Sequence, residues 1–107
     1  MMQIRQKILD KAKDCVCGQR QQDYGNPEDN FALIGRLWTE YMNRPDVRFT
    51  AKDVAMMMAL LKVARIRSGK GTLDCYVDLA GYAACAGELA ERSVSIAAEG
   101  SVSIAKT

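Results

Sequence analysis

The segment from residue 51 to residue 66 carries apolar side chains around almost its whole circumference when it is drawn as a helix. Thr50 is followed three positions later by Asp53, a spacing that resembles a capping box and starts the helix near Ala51. A helix that is hydrophobic on all sides cannot face water. We therefore expect it in the middle of a helical bundle or at a subunit interface.

Three further helices are predicted around this one. Apolar residues at helical spacing and their caps place them at residues 4–18, at 27 to about 43, and at 72 to about 92. Asn26 is the expected N-cap of the second helix and Thr72 that of the fourth. The short connection at 68–71 makes the third and fourth helices antiparallel neighbours. The sequence thus predicts an all-α, four-helix bundle.

The C-terminal segment 93–107 is expected to lie outside this bundle, which would make 1–92 the helical domain and 93–107 a tail. The tail contains the five residues SVSIA twice, at 93–97 and 101–105. Alternation of Ser with Val and Ile favours a short hairpin, and an isolated hairpin is marginal unless it packs on something. Disorder is the alternative. We expect at most a role in assembly.

Two features of the helices indicate close packing. The second helix has an apolar and aromatic stripe whose spacing predicts core positions, with a base-stacking platform as the alternative: Phe31, Ile34, Trp38 and Tyr41. The fourth helix contains Gly81 and Gly87, each of which costs about 1 kcal/mol relative to alanine. Their presence predicts that a helix or a ligand approaches closely at both positions.

Composition excludes several classes of function. No apolar run approaches the roughly 18 to 20 residues of a membrane span, the N-terminal segment does not resemble a secretory signal, and the net charge of +2 is scattered, which does not favour a nucleic-acid groove. We expect a soluble, cytoplasmic protein. The chain has no histidine, so catalysis would rest on carboxylates with a metal, or on lysine, tyrosine or cysteine.

The four cysteines are Cys15, Cys17, Cys75 and Cys85. Paired ligands of structural zinc sites are usually separated by at least two residues, and Cys15 and Cys17 are separated by one. Reduced thiols buried in helices are therefore the preferred interpretation over a zinc site.

Charged residues on the third and fourth helices form the most informative set. Lys62 and Arg65 share one helical face, and Asp74 and Asp78 share one face of the next helix. In one interpretation Lys62 pairs with Asp78 and Arg65 with Asp74. In a second, the carboxylates hold Mg²⁺ and the cations meet phosphate. In a third, Arg65 and Lys62 bind phosphate without a metal, and the aspartates orient them or accept hydrogen bonds from a sugar or base.

The two aspartates are not equally informative. Asp74 lies in the first turn of its helix, where the helix dipole alone stabilises an acid. Asp78 lies one turn further in, between Val77 and Leu79, and has no such explanation. Among the four charged residues, Asp78, Lys62 and Arg65 are therefore the stronger candidates for a site.

Three motifs resemble a family of small phage and prophage proteins of unassigned function. They are Asp-Tyr-Gly at 23–25, Lys-x-x-Arg at 62–65 and Asp-x-x-x-Asp-x-x-Gly-Tyr at 74–82, and the resemblance covers about residues 20–88. It implies the cytoplasm of an infected or lysogenic bacterial host. This family is in turn similar, more distantly, to the MazG-like all-α nucleotide pyrophosphatases, which are helical oligomers that use Mg²⁺ held by acidic residues on two adjacent helices.

The MazG-like resemblance implies roles for particular residues. Asp74 and Asp78 correspond to the later acidic motif and would be the Mg²⁺ ligands, and Lys62 and Arg65 lie where phosphate contacts are expected. The Glu-Glu-x-x-Glu motif of an earlier helix in those enzymes has no match in this chain. Two carboxylates are few for a multi-metal attack on a phosphoanhydride, so the resemblance favours binding of a nucleotide over its hydrolysis.

We therefore expect a homo-oligomeric, phage-type protein that captures a nucleotide or a nucleotide-derived signal, and sequestration of a host anti-phage messenger would suit it. An Mg²⁺-dependent nucleoside triphosphate pyrophosphatase and a structural oligomer without a ligand are the alternatives. The loop at 23–25 is either a lid over a base or ribose or a turn anchored by a buried tyrosine. The expected ligand-binding residues are Lys62, Arg65, Asp74, Asp78, Asp23, Tyr24, Gly25 and Tyr82.

Overall fold

The computed structural model describes residues 2–18 and 25–99, and side-chain surroundings are described as far as Ser93. These residues form four helices and their connections, and none of them is in a strand. The helices are α1 (Ile4–Cys17), α2 (Pro27–Met42), α3 (Ala51–Arg67) and α4 (Leu73–Glu99). The predicted all-α, four-helix architecture is confirmed.

Two helix starts follow the predicted capping residues. The Asn26 side chain accepts a hydrogen bond from the backbone N–H of Glu28 at 2.9 Å. At the start of α3, Thr50 Oγ1 accepts from the backbone N–H of Asp53 at 3.1 Å, and Asp53 Oδ2 accepts from the Thr50 N–H at 3.0 Å. Thr72 differs from the prediction, because its hydroxyl donates to Cys75 Sγ at 4.0 Å and accepts no hydrogen bond from a backbone N–H of the described residues.

Helix α4 holds the bundle together. Its most extensive contact is with α3, it also contacts α1, and it touches α2 at a few positions, whereas α2 packs mainly on α3. The central cluster of buried side chains is small in volume and comes from three helices: Phe31, Val54, Ala55, Cys85 and Ala86. Small side chains at this contact let the axes of α3 and α4 approach closely.

Helix α3 is not in the middle of the bundle, so that alternative of the prediction is wrong. It buries Val54, Ala55 and Ala59 against its neighbours. Its other side is exposed although it is apolar, as the exposed fractions of four side chains demonstrate: Met56 45%, Met57 40%, Leu60 63% and Val63 45%. The helix has apolar residues on two sides, and the other helices of this chain cover one of them.

The aromatic stripe of α2 is a core feature for three of its four members. Phe31 is buried, and Ile34 and Trp38 pack partly buried against the central cluster. Tyr41 is 88% exposed, so its predicted core position is wrong. Tyr41 lies in the last turn of α2, three residues beyond Trp38, and does not pack against the central cluster.

The connection between α2 and α3 is held against α2 by one hydroxyl and one close approach. Thr39 Oγ1 donates to the carbonyl of Gly35 at 2.7 Å and accepts from the backbone N–H of Phe49 at 2.8 Å. The Phe49 ring packs edge-on against Trp38 at 5.8 Å between centroids. Gly35 is needed there, because a Cβ at this position would lie 2.6 Å from the Phe49 carbonyl oxygen.

Helix α4 continues past Arg92, where the sequence predicted its end, to Glu99. The first SVSIA copy is therefore helical and not a hairpin strand. Extending an existing helix needs no new nucleus, whereas an isolated two-stranded hairpin is only marginally stable. Residues 93–97 therefore continue the helix. The second copy lies outside the described residues. No helix in the described part of the chain combines the length and the apolar character needed to cross a membrane.

The two glycines of α4 have different surroundings. A Cβ at Gly81 would lie 3.4 Å from Val16 Cγ1, so α1 does pack against this position as predicted. A Cβ at Gly87 would meet nothing within 4 Å in the described structure. No helix of the same copy approaches Gly87 in the described structure. The prediction of a close neighbouring helix is therefore wrong for contacts within one chain.

Gly35→Ala and Gly87→Ala are expected to change stability in opposite directions. At Gly35 the added methyl group meets a backbone carbonyl, and the forced displacement should lower the free energy of unfolding by about 1–3 kcal/mol. At Gly87 the methyl group enters open space in a helix, and alanine should raise the free energy of unfolding by about 0.5–1 kcal/mol. Urea unfolding followed by circular dichroism measures both, and equal effects of the two substitutions would contradict the packing described at Gly35.

Candidate functional site

An open cavity of about 310 Å³ lies where α1, α4 and the first turn of α2 meet. Its walls come from residues that are far apart in the sequence, and the fold alone brings them together. The lining residues are Cys15, Val16, Gly25, Pro27, Asn30, Phe31, Val77, Asp78, Gly81, Tyr82 and Cys85.

Three of the predicted ligand-binding residues line this cavity. Asp78 and Tyr82 are one helical turn apart on α4, and Gly25 lies just before α2. Gly25 has a φ of 85°, a left-handed conformation that favours glycine, and it immediately precedes the cap residue Asn26. Asp23 and Tyr24 lie outside the described residues, so their expected roles stay predictions.

Asp78 is paired with Lys62 across the contact between α3 and α4. Lys62 Nζ lies 3.0 Å from Asp78 Oδ2, and the side chains are 15% and 40% exposed. This is one of the two ion pairs that the sequence predicted. The pair occupies one oxygen of Asp78, and the carboxylate still lines the cavity.

The second predicted pair, Arg65 with Asp74, does not form. Both residues are exposed, and no ion pair within the described residues includes either of them. Arg65 lines neither the cavity nor the groove beside it. The interpretation of the charged quartet as an internal salt-bridge network is therefore half correct.

A shallow groove adjoins the cavity along α1 and α4. Asp74 and Asp78 both line it, together with Lys11 and Asp14 of α1. The two predicted Mg²⁺ ligands thus share one surface, with Asp78 common to the groove and the cavity. Within the described ranges, no three His, Cys, Asp or Glu side chains lie close enough together to hold a metal. One or two carboxylates with phosphate oxygens are sufficient for Mg²⁺, so Asp74 and Asp78 fit that weaker type of site.

The aromatic wall of the cavity is formed by Phe31 and Tyr82. Their ring centroids are 5.9 Å apart and the ring planes are tilted by 54°. Phe31 is buried in the central cluster and Tyr82 is half-buried beside it. The wall therefore combines a fixed apolar surface with a phenol.

Polar groups in the cavity are few. Among the described lining residues, Asp78 carries the single carboxylate, Asn30 supplies an amide, and there is no lysine or arginine. A site with this composition suits the neutral ring of a ligand whose N–H groups donate to a carboxylate, and does not suit a bare phosphate.

Sequence analysis missed most of the other lining residues. Cys15 and Val16 belong to α1, which was treated only as an amphipathic helix, and Asn30 lies in the first turns of α2. One signal was available, because Gly81 predicted a close approach and Val16 is the residue that makes it. Nothing in the sequence indicated that the thiols of Cys15 and Cys85 line a cavity.

The four cysteines are free and lie in two helices. Cys75 and Cys85 on α4 are buried, as predicted, whereas Cys17 on α1 is exposed and Cys15 is partly exposed. Burial raises the pKa of the Cys85 thiol to about 11, and negative charge on Glu28, then on Cys17 and Glu88, adds to the rise. A thiol with this pKa is a poor nucleophile at neutral pH.

A double-mutant cycle on Lys62→Met and Asp78→Asn should give a coupling free energy of about 1 kcal/mol, because the pair is partly shielded from water. The same cycle on the exposed pair of Arg44 and Asp46, whose side chains are 61% and 63% exposed, is the matched control. It should give less than about 0.5 kcal/mol. Urea unfolding of the wild type and the six variants measures both values, and equal couplings would contradict the shielding of the Lys62–Asp78 pair.

Alkylation should distinguish Cys85 from Cys17. The raised pKa leaves Cys85 with about 100-fold less thiolate near pH 8 than a thiol at the ordinary value of 9.0. Iodoacetamide at pH 8 should therefore modify exposed Cys17 first, as peptide mass spectrometry would detect. A Cys85 that reacts as fast as Cys17 would contradict the buried environment of the Cys85 thiol.

Stability should also depend on pH through Cys85. Because the pKa of the Cys85 thiol is raised in the folded state, the free energy of unfolding of the wild type should fall from pH 9 to 11 more steeply than that of Cys85→Ala.

Comparison with known proteins places the chain among phage proteins. Residues 7–90 match the model of a domain of unknown function, DUF6378. The Gene 55 protein of Mycobacterium phage L5 is 46% identical over 76 residues, which are 71% of this chain and 47% of that protein. The Gene 55 protein of Mycobacterium phage D29 is 34% identical over 91 residues, 85% of this chain and 58% of that protein.

The chain thus spans about half the length of these curated relatives. No solved structure matches it. The predicted membership of a phage protein family of unassigned function is confirmed, because the family model covers most of the chain. The chain belongs to the DUF6378 family.

Proposed function

We propose that this chain is a phage-type nucleotide-binding protein that captures a nucleotide or a nucleotide-derived signalling molecule, with the base in the cavity between α1, α2 and α4. The observation that carries the proposal is that three residues predicted to bind a ligand, Gly25, Asp78 and Tyr82, line one cavity. The cavity volume of about 310 Å³ lies at the lower end of the range for small-molecule sites.

The walls suit a nucleobase. An aromatic side chain offers a face on which a base stacks, worth roughly 1–3 kcal/mol per base, and Tyr82 with Phe31 supplies such a wall. Asp78 would accept hydrogen bonds from ring or exocyclic N–H groups, as carboxylates do when they read base edges. Asn30 adds a donor and an acceptor within the same cavity.

Phosphates would lie outside the cavity, towards the adjoining groove. Lys11 lines that groove, and Asp74 and Asp78 would hold Mg²⁺ there, which would neutralise phosphate charge. Lys62 would act on the ligand indirectly, because its ammonium group holds the Asp78 carboxylate in place. Arg65 lines neither the cavity nor the groove, so its expected contact with phosphate stays a prediction.

The phage relatives support a role during infection. Capture without turnover would remove a host anti-phage messenger from solution. The distant MazG-like resemblance of the sequence supports the choice of a nucleotide as the ligand class.

A second candidate is an Mg²⁺-dependent nucleoside triphosphate pyrophosphatase. It is favoured by the placement of Asp14, Asp74 and Asp78 along one groove. The ion pair with Lys62 already engages one oxygen of Asp78, which leaves fewer oxygens for a metal. Binding is therefore the leading proposal.

Thermal denaturation with a panel of linear mono-, di- and triphosphates and cyclic nucleotides tests the binding proposal. A ligand at 100 times its dissociation constant adds about 2.7 kcal/mol to stability. For a domain of this size the midpoint should rise by about 10–20 °C. Asp78→Asn should lose this increase, and Asp46→Asn, an exposed aspartate that is also paired with a cation, should retain it.

For each variant, the increase in thermal midpoint is measured relative to the midpoint of the same variant without ligand. A substitution that changes intrinsic stability therefore does not alter the comparison. Absence of any increase across the panel, with no nucleotide among small molecules released from the purified protein, would contradict the proposal. Release of pyrophosphate with Mg²⁺ that is lost in Asp78→Asn would favour the pyrophosphatase.

A further inference from the structure

The uncovered side of α3 has an ordered pattern of residues. We define the α3 outer face as Asp53, Met56, Met57, Leu60, Val63, Ala64 and Arg67, all of which are exposed. They recur at spacings of three and four, so they form one continuous stripe along the helix. The stripe is apolar in its middle, acidic at its N-terminal end and basic at its C-terminal end.

This stripe is symmetric about Leu60. Asp53 and Arg67 are equally distant from it on opposite sides, and so are Met57 and Val63. Met56 and Ala64 form a third such pair of positions. A two-fold axis through Leu60 would therefore bring each residue opposite its counterpart on a second copy of the helix.

We propose that the α3 outer face is a homodimer interface in which α3 pairs antiparallel with α3 of a second copy, about a two-fold axis at Leu60. Isologous interfaces require a self-complementary surface, where residue i contacts j and j contacts i. Antiparallel pairing places Asp53 of each copy next to Arg67 of the other at both ends. Parallel pairing would place like charges together, so the charges select the antiparallel register.

The end charges are available for this contact. Among the described residues, neither Asp53 nor Arg67 forms an ion pair. Asp53 uses Oδ2 for the cap of α3, and its other carboxylate oxygen remains free for the second copy. Leu60 at the axis is 63% exposed, the largest exposed fraction among the large apolar side chains of α3.

Sedimentation equilibrium of the full chain over a wide concentration range tests the interface. The wild-type protein should be a dimer, and Leu60→Glu, which places two carboxylates together at the axis, should raise the dimer dissociation constant at least tenfold. Leu9→Glu is the matched control, because Leu9 is also 63% exposed but lies on α1. It should leave the dissociation constant unchanged. Leu60→Gln, a milder change, serves if Leu60→Glu loses its helical circular dichroism.

The register is tested by changing the charge at Arg67 and leaving Asp53, which caps α3, unchanged. Arg67→Glu should weaken the dimer, because it places two carboxylates together at both ends, and Arg67→Lys, which keeps the positive charge opposite Asp53, should retain association. A wild-type protein that is monomeric at every concentration would overturn the proposal. Equal weakening by Leu60→Glu and Leu9→Glu, or equal dissociation constants for Arg67→Glu and Arg67→Lys, would overturn it as well.

Discussion

Close packing of α3 on α4 is the constraint on which the other parts of the structure depend. Val54 is fully buried, and its neighbours in the cluster include Ala55, Cys85 and Ala86, so the contact is tight and contains little apolar volume. This closeness lets a lysine on α3 reach an aspartate on α4. The adjacent side of α4 forms the cavity with α1 and the first turn of α2. A core of small side chains also leaves many large apolar residues elsewhere without cover.

Sequence reasoning succeeded where the determining interaction is local. The caps at Asn26 and Thr50 depend on residues two or three positions away, and the structure has both. The contact of Lys62 with Asp78 was also accessible, because a short turn fixes how far two successive helices can diverge. The same argument failed for Arg65 and Asp74, since helical rotation, and not only distance from the turn, decides which side chains meet.

Sequence reasoning fell short where the outcome depends on packing between distant segments. The contribution of Cys15 and Val16 to the cavity requires knowing that α1 packs on α4, and nothing local to α1 specifies this contact. Tyr41 continued an apolar pattern but lies beyond the part of α2 that its neighbours cover. The extension of α4 to Glu99 depended on the cooperativity of a helix already formed, which the alternation in SVSIA does not express.

The Lys62–Asp78 pair has a consequence for the proposed binding of a ligand in the cavity. A free aspartate on a helix surface samples several rotamers, and a ligand must arrest that motion when it binds. In this fold Lys62 holds the Asp78 carboxylate, so the side-chain entropy of Asp78 is lost during folding. In the proposed binding mode Asp78 would be a preorganised acceptor, which would favour ligands whose donors match one fixed direction over those that need the carboxylate to turn.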